Sequence, residues 1–255
     1  MKAQLLLGID AGLSATKAAL FDRHGREVSA VSVSNAVLRP RPGSAERAMD
    51  EAWASAALVV RKALNAAGVD GGAVAGIGVT GAMVGVWPID ADGRPVRPAV
   101  LVADVRGQEV IDRIAARGPD VLSRIFAVDG CVVEPGCTLP VLRWLLDEEP
   151  ETMAAARHVL TCKDWLRYRL TGAVAADVTE AAVAPGDARA RPIGRDAAPF
   201  RTRSRGQPAA PCSTLGVARR GGDARRGGRD RAARGNAGRD RRGRRAVLGH
   251  RRRRV

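Results

Sequence analysis

The 255-residue sequence predicts a layered α/β domain over residues 1–190, followed by an aperiodic, arginine-rich segment over 191–255. Three observations carry this. Short apolar runs alternate with one long helix-period segment and then with further apolar runs, the order expected of strands and helices stacked in layers. The charge is partitioned: 21 arginines but only four acids stand between Arg191 and Arg254, whereas residues 1–190 hold 23 acids against 21 bases. Periodicity also stops near Arg189, with no helical or strand repeat beyond it.

In chain order, "LLLGID" (5–10), "TKAALFD" (16–22) and "EVSAVSVS" (27–34) are apolar or alternating runs joined by short polar turns, the pattern of an antiparallel meander. Pro42-Gly43 breaks it. Ser44 is placed to cap a long helix in which Met49, Trp53, Ala56, Ala57, Val60 and Leu64 recur at helical spacing until Gly68, one face packing on the sheet. "VAGIGVTG" (74–81) reads as a buried strand and "VGVWPID" (84–90) as another, and the turn "ADGRP" leads to a third, "PAVLVAD" (98–104). From Arg106 to Gly172 the period is helical in "GQEVIDRIAAR", "PDVLSRIFA", "LPVLRWLLDEEP" and "KDWLRYRLTG", with "HVLTC" as one strand before the last. Trp144 and Trp165 stand at helical spacing among leucines and read as core or interdomain packing.

Composition excludes several classes. The formal net charge of +15 belongs to the C-terminal segment, and residues 1–190 read as an ordinary, slightly acidic soluble protein. No apolar run approaches the roughly 18 residues a membrane span needs, and the apolar stretch in "MKAQLLLGID" is too short for a signal peptide. No membrane partner is expected. Cys131, Cys137, Cys162 and Cys212 match neither a zinc site nor a redox pair, and read as reduced thiols of a cytoplasmic protein. His24, His158 and His250 never reach ligand spacing, which disfavours a histidine base or a histidine-held metal.

"GIDAGLSATKAALFD" is the most informative stretch. An acid ends a strand and a turn of small residues follows, with Ser14, Thr16 and Lys17 beyond it. Such a turn can offer backbone N–H groups and hydroxyls to a phosphate while Asp10 faces its magnesium. A plain β-hairpin around Asp-Ala-Gly is the competing reading.

Taken in order, "GIDAGLSATKAALFD", "PGSAER", "GIGVTGAMVGVWPIDADGRPVRPAVLVADVR", "LPVLRWLLDEEPE" and "TCKDWLRYRLTG" resemble the N-terminal domain of the FGGY carbohydrate kinases, the family of glycerol kinase and xylulokinase. The similarity runs from about Leu5 to Arg189, and within the family points to kinases of ketoses such as xylulose or of polyols such as erythritol. It implies an actin-like ATPase fold of two ribonuclease-H-like domains, each a mixed sheet with flanking helices. Sugar would lie in the cleft, ATP mostly on the second domain, and the complete protein would form a homodimer.

Carried over residue by residue, Asp10 lies near the magnesium and γ-phosphate of ATP, and Gly12, Leu13, Ser14 and Thr16 form the phosphate turn. Lys17 stands where the family more often has arginine. "GAMVG" occupies the place of glycine, glutamine, methionine, histidine, glycine in xylulokinases, so Met83 and Val84 face the sugar without a histidine contact. Asp104 and Arg106 match the acid and arginine after the strand. A carboxylate with about four lone-pair sites would let Asp104 accept two sugar hydroxyls; a turn acid salt-bridged to Arg106 is the alternative. Val102 and Ser44 replace tryptophans usual in the family, so substrate identity stays open.

The resemblance places the general base, an aspartate in a "G-x-x-D" segment, some 60 to 80 residues beyond the "RYRLTG" helix, within the arginine-rich segment, where it is absent. Without it and the second domain, the chain is expected to be inactive. Read from Gly222 one base later, the segment can encode "TGLPAGTPV" and, across Gly249 and His250, an aspartate. The expectation is a frameshift between about Arg189 and Phe200 that leaves 191–255 out of frame and disordered. The rival is a non-catalytic actin-like module with a basic nucleic-acid-binding tail, although no aromatic residue follows Phe200 to stack on bases. Nonspecific contact with nucleic acid follows from the charge in either case.

Overall fold

A computed structural model of the chain describes residues 5–181. The expected meander forms: β1 (Leu5–Ala11) pairs antiparallel with β2 (Ala15–Phe21), and β2 with β3 (Glu27–Ser34). Asp22 builds the second turn, its carboxylate accepting the N–H groups of His24 and Arg26, while Gly25 supplies the left-handed φ of +78°. After β4 (Glu46–Arg47) and α1 (Met49–Ala66), β5 (Val74–Gly81) returns parallel to β1, giving a mixed sheet of order β3-β2-β1-β5.

Helix α1 covers one face of this sheet. Its buried stripe is Met49, Ala52, Ala56, Val59 and Ala63, at the three- and four-residue spacing of a single helix face. The expected Trp53, Ala57, Val60 and Leu64 flank that stripe half-buried. The difference has a simple cause: alanines bring the helix axis close to the strands, so the large side chains wedge along its sides. Ser44 does not cap α1. Its hydroxyl donates to the Arg41 carbonyl and accepts the Arg41 N–H, closing the turn before β4, and the N-cap position is Ala48, with no side-chain bond.

Strand β5 is half-exposed rather than buried, because it is the sheet edge. The next two strands leave the main sheet. Within "VGVWPID" the strand begins only after Gly85: Val86 bridges to Val100, and β6 (Trp87–Ile89) pairs with β8 (His158–Leu160). Within "PAVLVAD" only β7 (Ala99–Val100) is extended, pairing with β4. Helices α2 (Gln108–Ala115), α3 (Val121–Asp129), α4 (Thr138–Glu148) and α6 (Cys162–Thr171) fall where the period puts them. Two short helices, α5 (Pro150–Ala154) and α7 (Val178–Ala181), complete the described chain.

Two apolar clusters result. The first joins the sheet, α1, β6 and α6, with Trp165 fully buried and its indole N–H donating to the Met49 carbonyl. The second joins Val86 and Val100 to α2, α3, α4 and Met153, with Trp144 buried within it. Both tryptophans are therefore packing residues. Among the described residues, no helix is long and apolar enough to cross a membrane.

Candidate active site

The residues expected on the phosphate side sit at the C-terminal end of β1, where the strand hands over to a three-residue turn. Asp10 pairs across the ladder with Lys17 and, on its other side, with Thr80 of β5, so the three share one face of the sheet. Thr16 lies on the opposite face, fully buried under the turn. Gly12 and Leu13 are half-buried and Ser14 is exposed.

Asn35, a residue the sequence reading passed over, organises this turn. Its side-chain amide donates to the Gly12 carbonyl at 2.8 Å, and its backbone N–H donates to the Ser14 carbonyl at 2.9 Å. Its own Oδ1 accepts from the Thr16 hydroxyl at 2.9 Å and from Arg47 Nη2 at 2.6 Å. Arg47 fixes which way the amide faces, since an acceptor must meet the guanidinium. Arg47 is buried, with no carboxylate oxygen within 4.0 Å among the described residues, and desolvation lowers its pKa.

A second turn, Ala82–Gly85, abuts the first: the Ala82 N–H donates to the Ala11 carbonyl at 2.9 Å. Val84 is left-handed, with φ +50°, and Gly85 follows at φ +78°. A Cβ on Gly85 would collide with the Val100 carbonyl, so only glycine fits there. Met83 is half-exposed, whereas Val84 is buried, and the Val84 N–H donates to Glu180 Oε2 at 2.9 Å. Thr138 Oγ1 donates to the Gly85 carbonyl at 2.9 Å.

Asp104 and Arg106 form a third cluster, and both are buried. The Asp104 carboxylate accepts the Ala45 N–H at 2.8 Å, the Arg106 N–H at 3.0 Å and the Arg106 guanidinium through Nε and Nη2. Arg106 also meets Glu46 at 2.6 Å and lies 4.6 Å over the Trp144 ring. Glu46 bridges onward to Arg97, which meets Glu149. Burial opposes the charge on Arg106, but its bonds to Asp104 and Glu46 outweigh that and raise its pKa.

Beneath the two turns lies Cys162, whose thiol burial pushes up to about 12. No cluster of three His, Cys, Asp or Glu able to hold a metal occurs among the described residues. The arginine-rich segment, where the general base was expected and is absent, lies outside the described residues. The sequence reading also passed over Glu46, Arg47 and Glu180. Glu46 and Arg47 lie in the quoted "PGSAER" and Glu180 in "DVTEA", but none of these stretches hints at its distant partner.

Residues 5–184 match the N-terminal domain of the FGGY family of carbohydrate kinases. The chain is 35% identical over 169 residues to the L-xylulose/3-keto-L-gulonate kinase of Escherichia coli K12, covering 66% of this chain and 34% of that protein. It is 33% identical over 192 residues to the erythritol kinase of Brucella abortus, covering 74% and 36%. The crystal structure of a xyloylose kinase from Brucella ovis superposes with a TM-score of 0.65 at 33% identity, covering 71% of this chain and 37% of that one. The chain thus spans about a third of the length of these relatives. The mixed sheet with its flanking helices is that of sugar kinases with the actin-like ATPase fold. On the extent of the match and the shared fold, this chain belongs to the FGGY family of carbohydrate kinases.

Proposed function

We propose that residues 5–181 form the N-terminal half of a site that transfers the γ-phosphoryl group of ATP to a terminal hydroxyl of a small sugar or polyol, a ketose such as xylulose or a polyol such as erythritol. One observation carries the reading: the 82–85 turn is hydrogen-bonded through Ala82 to the carbonyl of Ala11, the last residue of β1, from which the turn at 12–14 departs, so both turns leave the same end of the sheet. Phosphoryl transfer depends mainly on positioning and charge stabilisation, so two braced turns side by side suit it.

On the phosphate side, Gly12, Leu13 and Ser14 offer the backbone of a turn that Asn35 clamps at both ends, with Thr16 held beneath. Lys17 and Asp10 share the sheet face beside it. A single carboxylate fits magnesium, which binds through one or two carboxylates and substrate phosphates. Asp10 would hold it, and the ion would neutralise charge on the transferred group. On the sugar side, Met83 and Val84 line the second turn. Asp104 and Arg106 would stand on the sugar side as a pre-formed pair, held by Ala45 and Glu46 as well as by each other.

The general base that the complete site would need is absent from this chain's sequence where the resemblance expects it. We further propose that 191–255 is an out-of-frame continuation, which would leave this chain without turnover. Three measurements test these readings. Calorimetric titration of the chain with D-xylulose, L-xylulose, erythritol and glycerol should detect binding of at least one, and binding of none refutes the sugar side. Resequencing the locus should reveal a shifted frame; an intact frame encoding these arginines, or steady turnover by this chain in a coupled assay, refutes the second proposal.

A further inference from the structure

The 82–85 turn holds an unfavourable conformation. Val84 is β-branched, and at φ +50° its Cβ crowds the adjoining carbonyl, a geometry that persists only where the surroundings over-determine it. Its neighbours are pinned from within the domain. The Ala82 N–H meets Ala11, the Gly85 carbonyl meets Thr138, and Val86 exchanges two backbone bonds with Val100. Val84 itself is held by a residue 96 positions further along the chain, Glu180.

Glu180 has 0% exposure. A carboxylate so placed is costly unless its partners repay the lost hydration. One oxygen takes the Val84 N–H; the other lies 3.0 Å from Lys163 Nζ, close enough for an ion pair but outside hydrogen-bond geometry. Lys163 is tied to the same segment, donating to Thr179 Oγ1 at 2.8 Å and lying 3.4 Å from Asp177 Oδ1. The segment is fastened to α6 again where the Asp177 N–H donates to Asp164 at 2.9 Å. A buried charge, anchored twice to the body of the domain, thus ends on the backbone of its one left-handed non-glycine residue among those described.

We infer that Glu180 is a positioning residue of the sugar-side turn: its carboxylate, steadied by Lys163, fixes the Val84 N–H and so maintains the left-handed backbone of residues 82–85. The consequence for sugar recognition rests on the reading above; the clamp itself does not.

Hydrogen–deuterium exchange of the full chain without ligand tests the clamp. E180A should speed exchange of the Val84 amide by about tenfold or more, the size expected on losing a hydrogen bond to a charged acceptor, with the amides of β1 and α1 unchanged. E180Q keeps an acceptor oxygen and should stay within about threefold of the parent chain. In a V84G background, where the left-handed strain is gone, the residue-84 amide still loses its acceptor in E180A, but the loss of sugar binding that E180A causes should shrink below about threefold. If E180A alone does not fold, V84G/E180A should. Equal Val84 exchange in the parent and E180A, acceleration spread evenly over the domain, or an unfolded double variant each overturns the inference. Titration with the four sugars and polyols supplies the other arm: binding retained by E180Q and weakened about tenfold by E180A supports a positioned turn, and unchanged binding by E180A overturns its link to recognition. Expected exchange with no binding by the parent chain overturns the sugar reading and leaves the clamp standing.

Discussion

Replacing Asp104 by alanine decides whether that carboxylate is spent on the fold or free for a ligand. It is fully buried and accepts the N–H groups of Ala45 and Arg106 as well as two guanidinium nitrogens. Alanine leaves Arg106 with Glu46 as its remaining ion-pair partner, and Arg106 Nη1 already lacks a hydrogen-bond partner. Removing one member of a buried pair costs about 3–5 kcal/mol. The stranded amides add to this at about 1–3 kcal/mol each, while Glu46 and entering water recover part, so a net loss near 4 kcal/mol is expected. With a urea slope of about 2 kcal/mol per molar, the unfolding midpoint should fall by about 2 M. Tryptophan fluorescence is the natural probe, because Trp144 stacks under Arg106. Asp104→Asn keeps one acceptor and should lose about half as much. A loss below about 1 kcal/mol for D104A, or a larger loss for D104N than for D104A, would refute this account and return the carboxylate to the sugar.

Three further outcomes are expected. Ala48 has the extended N-cap conformation but no capping side chain, and Asp50 and Glu51 already supply negative charge in the first turn. Ala48→Ser should therefore add about 1 kcal/mol in urea unfolding, and no gain would mean that α1 does not begin there. Cys162, its thiol pushed up to about 12 by burial, should resist Ellman's reagent at pH 8 until urea is added; modification in the native chain would contradict its placement. Burial and Arg157 hold His158 below its ordinary value of 6.5, so the folded chain binds that proton less readily than the unfolded one. The contribution is complete above pH 6.5 and is lost as pH falls through the lowered value. The urea midpoint should drop between pH 7.5 and 5.0, and His158→Asn should flatten that slope; an unchanged slope removes His158 as its source.

The fold was legible where burial is periodic. Strands β1 to β3 and helices α2, α3, α4 and α6 declare themselves because their apolar residues recur at the spacing of one face. It was less legible where tertiary geometry reassigns residues. "VGVWPID" has strand composition throughout, yet a left-handed turn consumes Val84 and Gly85, so that only Trp87–Ile89 is left to pair with β8. Ser44 has the composition of a cap but closes the preceding turn, because its hydroxyl meets Arg41 four residues before the helix can use it.

The two halves of the candidate site differ in the same way. The turn proposed for phosphate has nearly local determinants: glycine, small residues and a strand-end acid lie within "GIDAGLSATK", and its clamp, Asn35, is the residue that follows β3. The side proposed for the sugar is built from long-range partners. Gly85 is bonded by Thr138 across 53 residues, Val84 by Glu180 across 96, and Arg106 by Glu46 across 60. None of these pairs has a spacing signature, because each depends on how α4, α7 and β4 come to rest against the turns. A substitution on the phosphate side should therefore act where it is made. One at Glu180 or Glu46 should be felt at Val84 or Arg106, residues that give no sign of the dependence in the sequence.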